Sequence, residues 1–174
     1  MEISCLSEDS LKIKGKKISL AVDPDPSFLS KALFPLALFL TKKNRRRTDS
    51  ENTVLFIEGA GEYEAAGVKI SAFGQEKLSY ELRIDGFKLF LADKDDLLKN
   101  QFEDADYNII VLRADSPASD LSMVSGMPSY LIFYGKNAIQ QAKALGKEDA
   151  PTGRLQIKEI PEKPEIAVLG YGKN

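Results

Sequence analysis

Histidine is missing from all 174 residues of this chain. That absence excludes a Ser-His-Asp or Cys-His triad, an imidazole general base near neutral pH and any His-ligated zinc. Cysteine occurs once, at Cys5. An intrachain disulfide and a cysteine cluster for zinc or iron–sulfur are therefore excluded too. Nothing near Cys5 in sequence would activate its thiolate, so it reads as a small core residue. Charge of either sign is in little excess, with a net −2, so there is no global bias toward nucleic acid or anionic membrane. The longest apolar stretch, residues 32–40, is too short for a membrane span and contains Pro35. Residues 1–6 lack the basic-then-apolar layout of a signal peptide. These absences predict a cytoplasmic protein with no membrane partner.

What is present is ordinary for a globular chain: 43% hydrophobic and 29% charged residues. This length can bury a sizeable core as one domain over residues 1–174. The first part reads as a β-meander, with short apolar or alternating runs at 2–6, 11–14 and 17–22. Gly15 marks a hairpin, and Asp23-Pro24-Asp25-Pro26 ends the third strand. Ser27 is the predicted N-cap of a helix running to about Leu33, and residues 36–41 follow as a buried strand. Residues 42–52 are wholly polar and predict an exposed loop. Further strands are predicted at 53–57, 68–73, 78–84 and 87–91, with Asp85-Gly86 as a strong hairpin signal. A short helix follows over 93–100, with an acidic first turn that suits the helix dipole. The rhythm then changes to alternating strands (107–112, 130–134, 155–157, 166–169) and helices (119–124, 137–145), the last closed by Gly146.

This order, with certain local words, resembles the metallo-β-lactamase fold, and within it a branch of small metal-dependent hydrolases. The opening strands ending in Asp23-Pro24 match that branch. So does Gly61-Glu62-Tyr63-Glu64, where the branch has a Pro-Gly-Glu-Tyr-Glu turn and Ala60 stands in place of the proline. Residues 80–93 resemble the hairpin that leads to a metal-bridging aspartate, here Asp93. Residues 106–112 and 128–135 resemble later core strands. The resemblance covers nearly the whole chain and implies an α/β (α+β) fold, a reduced four-layer αββα sandwich.

The same resemblance implies a metal site that these residues do not supply. The family's His-x-His-x-Asp-His signature aligns without gaps to Lys42, Lys43, Asn44, Arg45, Arg46 and Arg47. Glu8 stands for an early histidine, the loop at 73–77 is shortened, and a histidine near Phe133 is missing. Only Asp93 remains, as a relict ligand position. Guanidinium stays protonated and cannot ligate a metal, and like charges ~4 Å apart repel by ~4 kcal/mol at an effective dielectric of ~20. One aspartate does not hold a catalytic zinc, which needs about three protein ligands.

The sequence therefore predicts a domain without a cofactor, in a binding or structural role, whose partner is an acidic or phosphate-bearing ligand or an active homologue. Nucleic acid is not expected from one short basic run. Lys42, Lys43, Asn44, Arg45, Arg46 and Arg47 are the candidate anion-binding segment. Gly61, Glu62, Tyr63 and Glu64 are read as a structural turn, although Glu62 and Glu64 would also share one face of a strand. Two alternatives stay open: a hydrolase whose Glu8, Glu62, Asp93 and Asp115 hold a hard ion such as Mg²⁺ or Mn²⁺, and a phosphate or nucleotide binder using the basic segment. Ser116 has no His or Cys partner and is a poor nucleophile.

Overall fold

The computed structural model describes residues 1–29, 34–41, 54–97, 106–117 and 128–172. Among these described residues, thirteen strands and three short helices follow one another as β1 Glu2–Cys5, β2 Leu11–Lys14, β3 Ser19–Val22, α1 Pro26–Leu29, β4 Leu36–Leu38, β5 Leu55–Ile57, β6 Gly61–Ala65, β7 Val68–Phe73, β8 Ser79–Ile84, β9 Phe87–Asp93, α2 Lys94–Leu97, β10 Ile109–Arg113, β11 Tyr130–Tyr134, α3 Ala138–Ala144, β12 Arg154–Gln156 and β13 Glu165–Val168. They build two mixed sheets, ordered β12-β1-β2-β3-β4-β5 and β13-β11-β10-β9-β8-β7-β6. The early strands pair antiparallel because tight turns join them: Gly15 N–H bonds to Ile18 O, and Asp85 and Gly86 both have positive φ (54° and 88°). The later strands β9, β10, β11 and β13 pair parallel.

The two inner faces make the main core. Ile3, Leu11, Ile13, Leu20, Val22, Leu36 and Leu38 of the first sheet meet Ile70, Leu82, Leu89, Leu91, Val111 and Ile132 of the second. Every residue of β10 and β11 is buried, as the apolar runs predict for central parallel strands. The outer face of β9, β10 and β11, with Phe90, Leu112 and Phe133, is covered by Ala138 and Ala142 of α3. The outer face of the first sheet carries a smaller cluster, Leu29 of α1 with Ala37 and Phe39. The result is the expected αββα sandwich with thin helical layers.

Two ties lock the sheets at the ends of the parallel strands. Tyr80 on β8 donates from its hydroxyl toward Phe39 O (2.8 Å) and Ile57 O (3.1 Å) and accepts Phe39 N–H (3.1 Å). A backbone bridge joins Thr41 to Lys77, and Leu78 N–H bonds to Leu40 O at 3.0 Å.

The fold corrects several expectations. Gly61, Glu62, Tyr63 and Glu64 are not a turn but most of β6, an edge strand paired with β7 from Gly61↔Ala72 to Ala65↔Val68. The reversal falls later, at Ala66-Gly67, whose φ values of 48° and 80° give the two-residue turn that right-twisted strands favour. Glu62 and Glu64 both face solvent, as a period of two dictates. Helix α1 starts at Pro26, and its cap is Asp25, whose Oδ1 accepts Ser27 N–H at 2.8 Å; Ser27 is not the cap. Strand β4 ends at Leu38 and β9 extends to Asp93. The predicted helix at 119–124 lies outside the described residues.

Candidate functional site

Parallel pairing places Asp93, Arg113 and Tyr134 in one row, since Arg113 aligns with Asp93 on one side and Tyr134 on the other. Each is the last residue of its strand. Alternation points all three the same way as Leu91, Val111 and Ile132, toward the first sheet. There Asp23 follows β3 with a positive φ of 43°, a conformation aspartate tolerates better than most residues. Its carbonyl accepts from Ser10 Oγ, its N–H bonds to Leu38 O, and its Oδ1 accepts Leu40 N–H at 3.0 Å. The N–H of Thr41 also serves this carboxylate.

Arg113 sits at the centre. Its Nη1 donates to Asp23 Oδ2 at 2.8 Å and its Nη2 to Asp93 Oδ2 at 3.1 Å. Its Nε lies 3.1 Å from Asp115 Oδ2, close enough for an ion pair but not aligned for a hydrogen bond. One guanidinium thus joins carboxylates from three segments and both sheets, and Asp23, Asp93 and Arg113 are all buried. Around it, Lys77 Nζ approaches Asp93 Oδ2 to 3.5 Å. Asp93 Oδ1 accepts Asp95 N–H at the start of α2, and Ser116 Oγ donates to Asp95. The Asn137 side-chain amide holds Asp115 O rather than capping α3. A Cβ on Gly135 would come within 2.7 Å of Asp115 Oδ1. The Tyr134 hydroxyl is fully buried and has no hydrogen-bond partner among the described residues.

The electrostatics follow from burial. Desolvation pushes the Asp23 carboxyl up to about 7, against the pull of Arg113 and of the Leu40 and Thr41 N–H groups. Asp115 is raised by burial as well, with Arg113 opposing and Asp9 reinforcing. Burial and then Asp23 hold the Tyr134 phenol well above its ordinary range. Burial opposes the charge on Arg113, but Asp23, Tyr134 and Asp115 outweigh it and keep the guanidinium protonated. Away from the cluster, burial pushes the half-buried Cys5 thiol up to about 11, and its side chain packs against the main core.

Of the residues singled out in the sequence, the fold brings Asp93 and Asp115 together around Arg113 and holds Glu62 apart from them. Glu62 is on β6, three strands from β9 in the same sheet, about 14 Å at the usual strand spacing. Glu8 is exposed on the rim of a neighbouring cleft of 380 Å³, with Lys136, Ile139 and Tyr171. The four-carboxylate metal site therefore does not assemble, and among the described residues no group of three ligating side chains is placed to hold a metal. Lys42, Lys43, Asn44, Arg45, Arg46 and Arg47 lie outside the described residues, though the chain enters that segment from Thr41, beside Asp23. The sequence reading missed Arg113, Asp23 and Tyr134. A signal existed: Arg113 closes the apolar run 109–112, and a charge ending a doubly covered strand needs a partner.

The zinc chemistry that the resemblance implies does not fit this donor set. Both oxygens of Asp23 and of Asp93 are committed to Arg113 or to backbone N–H groups. A dication ~4 Å from the guanidinium would be repelled by ~8 kcal/mol at an effective dielectric of ~20.

No protein-family model matches the sequence, and no curated protein matches it. Solved structures do match in shape. One is a protein from Thermotoga maritima described as a zinc-dependent hydrolase of the metallo-β-lactamase superfamily, with TM-score 0.64, 11% identity, and coverage of 97% of this chain and 98% of that one. Another is the metallo-β-lactamase fold protein YhfI from Bacillus subtilis, with TM-score 0.55, 9% identity and coverage of 99% and 98%. A third is an isothiocyanate hydrolase from Delia radicum gut bacteria, with TM-score 0.56, 11% identity and coverage of 90% and 99%. Identities this low speak to shape alone, and the shape agrees over nearly the whole chain: this protein has the metallo-β-lactamase fold.

Proposed function

We propose that this chain is a single-domain, cytoplasmic metallo-β-lactamase-fold protein that works without a metal, in a binding or structural role rather than as a hydrolase. The observation that carries this reading is the Arg113 guanidinium bound by Asp23, Asp93 and Asp115. Metal-dependent hydrolysis needs a Lewis acid and an activated water. Here a permanent monovalent cation, with no open coordination position, stands among Asp23, Asp93 and Asp115. No imidazole is available to activate water in its place. The test is hydrolysis of lactam, phosphodiester and thioester substrates with and without added Zn²⁺ and Mn²⁺. Turnover that depends on added metal would refute the reading.

The partner in this proposal is an acidic or phosphate-bearing ligand, or an active homologue, met by Lys42, Lys43, Arg45, Arg46 and Arg47. Support comes from the entry point of the segment: Thr41 is tied to Asp23 and bridged to Lys77, whose ammonium is partly exposed. Charges that cannot be buried unpaired must face water or an anion. Polyphosphate titrations should show affinity that falls with salt and is lost when the five basic residues are changed to serine. Equal affinity in both proteins would remove this segment as a site.

A further inference from the structure

A separate cleft of 470 Å³ opens at the other end of β9, where Phe87 lies on its wall. The seven residues of β9 put it about 20 Å from Asp93 and the Arg113 cluster. Two tight turns meet there, one from each sheet. The turn after β2 brings Gly15 and Lys16, and the turn after β8 brings Asp85. Both Asp85 oxygens accept Lys16 N–H, at 2.9 and 3.1 Å, and a Cβ on Gly15 would come within 2.8 Å of Ile84. The other acid of the cleft, Glu2, accepts from the Gln156 side chain at 3.4 Å. Both carboxylates therefore already have a donor. The lysines do not have an acceptor: Lys14, Lys16 and Lys158 are exposed and make no ion pair among the described residues. Between them, half-buried Phe87 and buried Ile157 supply an apolar wall backed by the main core.

We propose that this cleft binds a small organic phosphate with a flat ring, of the mononucleotide class, its phosphate among Lys14, Lys16 and Lys158 and its ring against Phe87. An ammonium offers donors and no acceptor, so the matching group must bring oxygen acceptors and negative charge. Three lysines against two carboxylates leave the cleft positive in a chain whose net charge is −2. The volume is that of a small-molecule site, typically about 300–1,000 Å³, and exceeds what a bare phosphate ion fills. An aromatic face beside basic groups suits a stacked ring, because every base has a π-face. A ring without phosphate would leave the lysines unmatched, and phosphate without a ring would leave the Phe87 wall against water. The cleft shares no residue with the basic segment discussed above, so the two sites are independent.

Calorimetric titration of AMP, adenosine and inorganic phosphate at low salt tests this. The proteins are wild type, the Lys14→Ser/Lys16→Ser/Lys158→Ser triple variant, Phe87→Leu, and the variant with Lys42, Lys43, Arg45, Arg46 and Arg47 changed to serine. Wild type should bind AMP at least about tenfold more tightly than adenosine or phosphate. The triple variant should lose at least about tenfold in AMP affinity. Phe87→Leu should weaken AMP and leave phosphate unchanged, and the five-serine variant should bind AMP as wild type does. Amide shifts on adding AMP to wild type should centre on Gly15, Lys16, Phe87 and Ile157. The three lysines are exposed, so the triple variant should melt with wild type. If it does not fold, Lys158→Glu alone should weaken AMP at least about threefold. No AMP binding by wild type, equal affinity in the lysine variants, or phosphate bound as tightly as AMP would overturn this inference. AMP binding lost only in the five-serine variant would also overturn it, while supporting the basic segment as the anion site.

Discussion

Asp23 shows how one side chain links charge to stability. Its carboxyl is pushed up to about 7 by burial, from an unfolded value near 3.8. Between those values the folded state holds a proton that the unfolded state releases. The stabilisation from this group is complete below pH ~4 and is lost as pH rises through ~7. Asp115, raised in the same direction, adds to the slope. Asp25 and Asp95 are lowered and act oppositely, with their contributions lost only as pH falls below ~4. We expect the melting temperature to fall between pH 4.5 and pH 7.5, and the slope to flatten in Asp23→Asn. An unchanged slope in that variant would remove Asp23 as its source. Gly135 offers a second test at this scale. It has φ +95° and no room for a Cβ beside Asp115, whereas Gly86 has φ +88° and open space. Gly135→Ala should cost roughly 2–4 kcal/mol and Gly86→Ala about 1 kcal/mol, read from urea midpoints. Equal costs would contradict the packing at Asp115.

The elements were more legible in the sequence than the site. Strand β11, helix α3 and the Asp85-Gly86 hairpin stand where the residue pattern predicts them, because apolar runs, Gly146 and a turn dipeptide act locally. The turn between β6 and β7 was misplaced because its first residue is Ala66, which rarely takes a positive φ. The Arg113 cluster was not legible because it is assembled by register: β9, β10 and β11 must align in parallel before Asp93, Arg113 and Tyr134 share a row, and Asp23 comes from the other sheet. Pattern reports which residues face inward, not which inward charges meet. The same limit applies to Tyr80, whose alternation marks it as core but does not reveal its backbone partners across the sandwich. Tyr80→Phe should leave Phe39 N–H and the carbonyl that takes the hydroxyl proton short of a partner and cost roughly 1–3 kcal/mol, again from denaturant midpoints. A loss below ~0.5 kcal/mol would mean that this hydroxyl does not tie β8 to the first sheet.

At the scale of the whole molecule, the metallo-β-lactamase sandwich keeps its two sheets and its edge where parallel strands of both sheets end. A guanidinium carried by β10 joins Asp23 of the first sheet to Asp93 and Asp115 of the second. We propose that this guanidinium holds the edge together in a domain that works without a metal. The most direct measurement of that claim is the metal-to-protein ratio of the purified wild-type chain by elemental analysis, after equilibration with Zn²⁺ and Mn²⁺ and removal of excess ion. We expect a ratio far below one for both metals. A ratio near one, lost with chelator and abolished by Asp93→Asn, would contradict it.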